Sequence, residues 1–500
     1  MKKKPPAPMR WAVSPIPWKP HLGQLKGVKF LLEHAGGGLF ADPGVGKSSI
    51  TLASFSYLKK RGVANKMLII APLKPCWLVW PAEVKKWIDF NHLKIVVLHG
   101  PKKQEALESD ADIYVINPEG LDWLLDAKKM TSASGRPTVT VDLKRFKALG
   151  FDTLCVDEIS KFKHSNTTRF KTLKCVLGTF ARRWGLTGSP ASNGLMDLFG
   201  QCYVLDQGRS LGSFITHYRN RYFHQGWDGF SWVLNAGAEE QIYERLRPLV
   251  LRLAAEDYID MPELVSTAIE FDLPPDARAF YDSLEENLVA GAGEEVFTAA
   301  NAGAAVMKCR QVCNGGIYTN PEILGLMDTK TASRARGREW FPIHDEKTDL
   351  LSDLVDELQG QPLFVAYDFG HDLERLYKKF GKDIPTFGGG ISTKKTIEIE
   401  AAWNAGEIPL LFGQPKSIAH GVNLQQKGHH VCWYGVTYNY EDYDQFNRRV
   451  WRQGNNASRV FVYHLVARGT VDMDVMAALN RKESGQNALF KGIRERRGLR

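Results

Sequence analysis

The sequence predicts an α/β protein made of two parallel-sheet lobes with helical material between them. Three observations carry that expectation. Short apolar runs alternate with helix-length amphipathic stretches from about residue 25 to 205. Charge-rich helical stretches then take over from about 206 to 335, and the alternation resumes beyond them. Apolar runs of strand length, separated by helical lengths, read as strands of a sheet buried on both faces, which is the parallel arrangement.

Residues 1–20 form a basic tail. Met1-Lys2-Lys3-Lys4-Pro5-Pro6 carries charge but no apolar stretch behind it, so it does not read as a signal peptide. The first lobe is expected over 21–205. Its strand candidates are Met67-Leu68-Ile69-Ile70-Ala71 ended by Pro72, Lys94-Ile95-Val96-Val97-Leu98, Ile113-Tyr114-Val115-Ile116, and Thr153-Leu154-Cys155-Val156. The stretch 131–140, rich in Ser, Gly, Pro and Thr, reads as a surface loop within it.

The span 206–335 is expected to be a helical inter-lobe region. Helices are predicted over 239–252 and 276–288, with a mobile Gly- and Ala-rich segment at 290–305. The second lobe follows over 336–482. Its strands are Leu363-Phe364-Val365-Ala366-Tyr367, Pro409-Leu410-Leu411-Phe412, Val431-Cys432-Trp433-Tyr434 and Val460-Phe461-Val462-Tyr463. A basic tail over 483–500 closes the chain and reads as solvated, with a phosphate-contacting arm as the functional alternative.

Composition narrows the function classes. Of the 500 residues, 44% are hydrophobic and 24% charged, as in ordinary globular proteins. No run of about 18 apolar residues exists, so no membrane partner is expected. The net charge of +9 suits a polyanion partner. Seven scattered cysteines do not pair into a disulfide framework and point to a reducing, cytoplasmic interior, that of the bacterial host for a phage-encoded chain. Cys309 and Cys313, at helical spacing with no second pair after them, read as two buried thiols rather than half a zinc site.

The chemistry-bearing segments begin with Ala41-Asp42-Pro43-Gly44-Val45-Gly46-Lys47-Ser48, a Walker-type loop entered from a strand and followed by a helix from Ser49 to Lys60. Backbone N–H groups of such a turn and helix start cradle phosphates. Asp42, Gly44, Val45, Gly46, Lys47, Ser48 and Ser49 are therefore the nucleotide-binding candidates. Lys47 suits the β- and γ-phosphates of ATP, and Ser48 suits Mg²⁺. Ala41 stands where the usual loop has its first glycine.

Asp157-Glu158 follows an apolar run; Asp157 suits Mg²⁺, and Glu158 suits a base that orients the attacking water. Leu186-Thr187-Gly188-Ser189-Pro190 is either a turn or a relay of hydroxyls from the phosphate site to the second lobe. Gln445, Arg449 and Arg452 are spaced to share one helical face, from which the arginines can act on a γ-phosphate. Trp77, Trp80 and Trp87 read mainly as core.

Taken in order over about residues 20–475, these segments resemble the Snf-type, chromatin-remodeller-like ATPases of helicase superfamily two, in a compact bacterial or phage-type version. Leu22-Gly23-Gln24-Leu25 is similar to the opening glutamine motif, and Gln24 is then the adenine reader. Ile70-Ala71-Pro72-Leu73 with Trp80-Pro81, Glu83 and Trp87 resembles motif Ia. Asp157-Glu158-Ile159-Ser160 resembles motif II, 186–190 motif III, Gly421-Val422-Asn423-Leu424 motif V, and Gln445 through Gly454 motif VI. Leu251-Arg252 and the Cys309-Arg310-Gln311-Val312-Cys313-Asn314 segment resemble the helical region between lobes. Three positions depart from the pattern: Ser160 replaces a histidine, Trp451 stands where histidine is common, and Asn455 replaces a glutamine.

The resemblance implies two RecA-like lobes and an ATP hydrolase with Lys47, Asp157, Glu158, Arg449 and Arg452 as catalytic residues, using ATP and Mg²⁺. It implies a partner in double-stranded DNA, along which the chain moves without separating strands. Two rival readings stay open on sequence: a strand-separating helicase on single-stranded DNA or RNA, and an ATP-switched nucleic-acid scaffold with negligible turnover. Protein partners are not legible.

Overall fold

A computed structural model describes residues 15–131, 137–226, 232–258, 260–290, 299–418 and 422–482. The chain falls into two compact units: one of 1–190, 197–218 and 241–258, and one of 191–196, 219–240 and 259–500. Each is built on an all-parallel sheet, as the sequence predicts.

The first sheet has seven strands. They are β1 (Gly36–Ala41), β2 (Met67–Ile70), β3 (Ile95–Val97), β4 (Ile113–Ile116), β5 (Thr153–Asp157), β6 (Arg182–Thr187) and β7 (Val250–Leu253), in the order β7-β1-β6-β5-β2-β4-β3. Every neighbouring pair is parallel. β2 and β4 are buried along their whole length, which explains their continuous apolar sequence. Two helices that matter for the site are α1 (Leu22–Glu33) and α2 (Lys47–Lys60).

β1 is Gly-Gly-Gly-Leu-Phe-Ala, poor in strand-forming side chains. The glycines are there for close approach: a Cβ on Gly36 would meet the Leu205 carbonyl at 2.5 Å. β6 carries Arg183 in its interior. That guanidinium is buried and donates from Nε to the Leu205 carbonyl (2.9 Å) and from Nη1 to that of Phe180 (2.6 Å).

Three sequence expectations need correction. The helix expected over 239–252 is Ala238–Leu246, and Pro248 is followed by β7, so Leu251-Arg252 lies in the first sheet rather than in an inter-lobe helix. The span 206–335 is thus not a separate helical region: it gives β7 to the first sheet and a strand, Glu263–Phe271, to the second. The stretch 131–140, expected as a loop, includes the strand Pro137–Thr140, which pairs antiparallel with Lys128–Thr131; residues 132–136 lie outside the described residues. The same holds for most of the N-terminal tail, the core of the Gly- and Ala-rich segment, Gly421 of motif V and the 483–500 tail.

The second sheet has β8 (Glu263–Phe271), β9 (Leu363–Ala366), β10 (Thr386–Phe387), β11 (Leu410–Gly413), β12 (His430–Trp433) and β13 (Arg459–Ala467), in the order β8-β13-β12-β9-β11-β10. β8 runs along β13 from Glu263 opposite Arg459 to Phe271 opposite Ala467. It is a mostly exposed edge strand, lined by ion pairs of Arg459 with Glu263 and Arg468 with Glu270. Charge along an edge discourages pairing with other chains, and it hides the strand from an apolar-run reading.

A buried polar network packs behind this sheet. It joins α3 (Ala299–Cys313), α4 (Glu346–Glu357) and α5 (Gly370–Phe380). Lys347 of α4 is fully buried and donates to Asp472 (2.7 Å) and to the Asn314 side chain (3.0 Å). Arg375 of α5 donates to Tyr434 Oη (3.0 Å), Asp345 (2.8 Å), and the carbonyls of Asn314 and His344. Cys309 and Cys313 sit buried on α3, and burial pushes the Cys309 thiol up to about 11.

The Lys347–Asp472 pair gives a stability prediction. Lys347→Met leaves a buried carboxylate without its cation and should cost about 3–5 kcal/mol in chemical denaturation, whereas Lys347→Met with Asp472→Leu should recover most of it. Equal losses in the single and double variants would show that the pair does not act as a unit.

Candidate active site

The strand-to-helix turn after β1 sets the site's frame. β1 continues in extended form through Ala41, whose register partner is Leu253 of β7. An extended residue needs no glycine, which explains why Ala41 is accepted in the first loop position. The left-handed positions fall later, at Gly44 (φ 95°) and Gly46 (φ 90°). Gly46 is also the N-cap of α2 and offers no side-chain cap, so the first N–H groups of that helix are not closed off by a capping side chain. An uncapped helix start in a glycine turn is the standard cradle for phosphate.

Each loop residue has a defined place. Lys47 Nζ donates to the Ala41 carbonyl (2.6 Å) and more distantly to that of Asp42 (3.3 Å). The Val45 carbonyl accepts from Gln24 Nε2 (3.1 Å) and lies 3.3 Å from His21 Nε2. Gln24 also accepts from His21 N through Oε1, closing a capping box at the start of α1. Ser49 Oγ donates back to the Gly46 carbonyl (2.9 Å). Ser48 stands in the first turn of α2.

Asp42, expected to bind nucleotide, has its side chain committed elsewhere. Its carboxylate forms an ion pair with Arg252 Nη2 (2.7 Å) and accepts from Ala255 N (3.0 Å). Both members of the pair are buried. Asp42 therefore ties the loop to β7, and only its backbone remains for phosphate.

The two acidic residues sit at the carboxyl end of β5, where ligands of open α/β sheets bind. Burial, then the neighbouring Glu158 charge, push Asp157 up to about 6, while Lys47 and the Trp80 indole oppose the rise. Trp80 is fully buried and donates from Nε1 to Asp157 Oδ2 (3.0 Å). Glu158 has left-handed backbone angles (φ 57°), a costly conformation for a residue with a side chain. Its Oε1 accepts from Ser160 Oγ and Thr187 Oγ1, both at 2.8 Å. Thr187 thus joins motif III to Glu158 inside the first unit.

Lys47, Asp157 and Glu158 are brought together in this way, with the Lys47 and Glu158 charges both acting on Asp157. The donor set is of hard oxygens: a serine hydroxyl on α2 and the carboxylates at the end of β5. Among the described residues no cluster of three or more His, Cys, Asp or Glu forms a metal cage. Mg²⁺ is the ion that needs only one or two carboxylates besides phosphate oxygens, so these residues fit it.

Gln445, Arg449 and Arg452 lie together in the second unit, though not on one helix. The helix is Tyr440–Asn447, labelled α6 here, and the chain turns after it. Arg449 is buried, donating from Nε to the Gln445 carbonyl (3.0 Å) and from Nη1 to that of Val422 (3.2 Å). Arg452 donates to Asn423 Oδ1, and Asn423 in turn to Glu400 (3.3 Å). The departures at 451 and 455 have structural partners: Trp451 Nε1 donates to the Pro262 carbonyl (2.9 Å), and Asn455 Nδ2 to those of Gly428 (2.8 Å) and Val450 (3.0 Å).

Sequence reasoning missed several contributors. Arg252 was read into a helix, Trp80 mainly as core, and Tyr258 was not singled out. Tyr258 stacks with His21 at 5.8 Å between ring centroids and fills the space beside Gly23. The resemblance marks Trp80 and Arg252 as motif positions, but nothing local in the sequence gives their contacts, because each partner comes from a distant segment.

Comparison with known proteins identifies the family. A family model described as SNF2-related domain matches residues 23–316. Putative protein p41 of Acyrthosiphon pisum secondary endosymbiont phage 1 is 31% identical over 488 residues, 94% of this chain and 97% of that protein. The uncharacterized ATP-dependent helicase MG018 of Mycoplasma genitalium is 22% identical over 469 residues, 92% of this chain but 41% of the helicase. Among solved structures, a Sulfolobus solfataricus SWI2/SNF2 ATPase core in complex with dsDNA aligns over 96% of this chain and 94% of its own, at 21% identity and a TM-score of 0.42.

Two expectations follow from the geometry. Arg252→Ala strands the Asp42 carboxylate in the interior; it should cost about 3–5 kcal/mol and weaken nucleotide binding, read by denaturation and by titration calorimetry. Undiminished stability and binding would mean that the pair does not hold the loop. The second concerns pH. A metal ligand must be deprotonated, and Asp157 is pushed up to about 6. Mg²⁺-dependent nucleotide affinity should therefore be flat above pH 7 and fall by up to about tenfold per unit below pH 6. A flat profile from pH 5 to 8 would exclude Asp157 as the titrating ligand.

Proposed function

The chain belongs to the SNF2-related family, and from that premise we propose that it hydrolyses ATP and couples hydrolysis to movement along double-stranded DNA. The observation that carries the reading is the convergence of an uncapped helix start, Lys47 and two adjacent carboxylates at the carboxyl end of one sheet. A bare ATP-binding module has no need of Glu158 in a strained backbone with two hydroxyls on one carboxylate oxygen.

In this mechanism the backbone N–H groups from Gly44 to Ser49 bind the phosphates of ATP. Lys47 exchanges the Ala41 carbonyl for phosphate oxygens, and Gln24 reads adenine. Ser48 and Asp157 would hold Mg²⁺, which when bound would neutralise phosphate charge. Trp80 orients Asp157 through its indole N–H. Glu158 accepts the proton of the attacking water. Arg449 and Arg452 offset the charge that develops on the γ-phosphate.

The resemblance to Snf-type ATPases and the charge of +9 support duplex DNA as the track. Grip would be mostly on phosphates, so sequence preference should be weak and binding should fall steeply with salt. The phage relative supports a site of action inside a bacterial host.

Steady-state ATP hydrolysis with no nucleic acid, duplex DNA, single-stranded DNA and RNA tests the proposal. Duplex DNA should stimulate most. Preference for single strands or RNA would favour a strand-separating helicase, and no turnover with any of them an ATP-switched scaffold. Lys47→Ala should abolish turnover. Glu158→Gln should lower it by roughly 10²–10⁴-fold with ATP binding retained. Arg452→Ala should lower it by roughly 10³-fold with DNA binding retained; wild-type hydrolysis in that variant would remove Arg452 from the mechanism.

A further inference from the structure

Glu158 is held by hydroxyls from two different elements. Ser160 lies two residues on, in the single turn Ile159–Phe162, and Thr187 ends β6, the strand beside β5. Both residues are almost wholly buried, at 1% and 0% exposure. Their hydroxyls converge at 2.8 Å on the same atom, Oε1. Thr187 Oγ1 accepts from Ser189 N (3.1 Å), which orients its own hydrogen toward Glu158.

A carboxylate oxygen has two in-plane acceptor sites, and two donors fill them. Oε2 is then the oxygen left to take a proton. We propose that Ser160 and Thr187 are positioning residues that clamp Oε1 of Glu158, reserving Oε2 for the attacking water. The proposal rests on the hydrolytic reading of Glu158 and adds what sets its orientation.

The clamp gives the departure at position 160 a physical role. A histidine stands there in the resembled family. In this chain a short, buried hydroxyl reaches a carboxylate two residues away. The left-handed backbone at Glu158 is a further constraint met by the same contacts: strain persists where surrounding structure over-determines it.

The test uses the full chain with duplex DNA and the variants Ser160→Ala, Thr187→Val and their combination, beside the conservative Ser160→Thr and Thr187→Ser. Each loss of a hydroxyl should lower kcat on the order of tenfold, short of the loss of the base itself, with KM for ATP unchanged. Thr187→Ser should keep most of the wild-type kcat, because it keeps the hydroxyl. A double variant with wild-type kcat, or equal losses in Thr187→Ser and Thr187→Val, would overturn the clamp in favour of simple packing.

A crystal structure of the double variant reads the clamp without turnover. Glu158 Oε1 should leave its present position; an unmoved carboxylate would overturn the proposal whatever the rates. Should the wild-type chain hydrolyse no ATP, the hydrolytic reading falls, and the displaced or unmoved carboxylate still decides the clamp.

Discussion

The buried ion pair between Asp42 and Arg252 is the constraint on which the phosphate loop depends. Asp42 is the first residue past β1, and Arg252 lies in β7, at the sheet edge beside it. Arg252 also donates to the Phe40 and Leu253 carbonyls, and Ala255 N donates to the other oxygen of Asp42. The turn that must present backbone N–H groups therefore leaves the sheet at an angle fixed from its flank. A buried pair of this kind adds little net stability over a well-packed apolar pair. Its use is geometric: a flexible glycine turn starts from a rigid point.

The same logic runs through the two adjacent carboxylates. Asp157 and Glu158 are adjacent in sequence but held from different directions, Asp157 by the indole of Trp80, and Glu158 by Ser160 and by Thr187 of the neighbouring strand. Each support comes from a segment whose position is set by the parallel sheet. Loss of strand register would misplace the supports while leaving the motif residues intact in sequence.

This explains what was legible in the sequence. β2, β4 and β5 were readable because strands buried on both faces are near-continuous apolar runs. β1 was legible only as the strand that enters the loop, its own residues including three glycines that serve a close approach; β6 was obscured by the buried Arg183, β7 by the helix running into it, and β8 by its charged, exposed edge. At the site, Lys47, Asp157 and Glu158 stood out because their spacing is local to one turn or strand end. The contacts of Trp80, Arg252 and Tyr258 did not, because they exist only once distant segments meet. Asp42 was over-read for the converse reason: motif spacing marks the loop but cannot say that its side chain faces Arg252.

The energetics of the site favour an incoming nucleotide in a particular way. Asp157 is a carboxylate disfavoured by burial and by the adjacent Glu158 charge, with Lys47 only partly offsetting both. Lys47 itself donates to a backbone carbonyl, a neutral acceptor. A cation near Asp157 removes the repulsion between the two carboxylates, and phosphate gives Lys47 a charged acceptor in place of a neutral one, a stronger hydrogen bond. The two changes would reinforce each other, since a metal ion and a phosphate held by these residues would carry opposite charge at the same strand end. The α2 N-terminus, without a side-chain cap, adds a third favourable partner for the anion. Under the proposed function metal and triphosphate would bind cooperatively, because each would relieve a cost that the fold has built in, and Glu158, clamped at one oxygen, would be the group left to act on water.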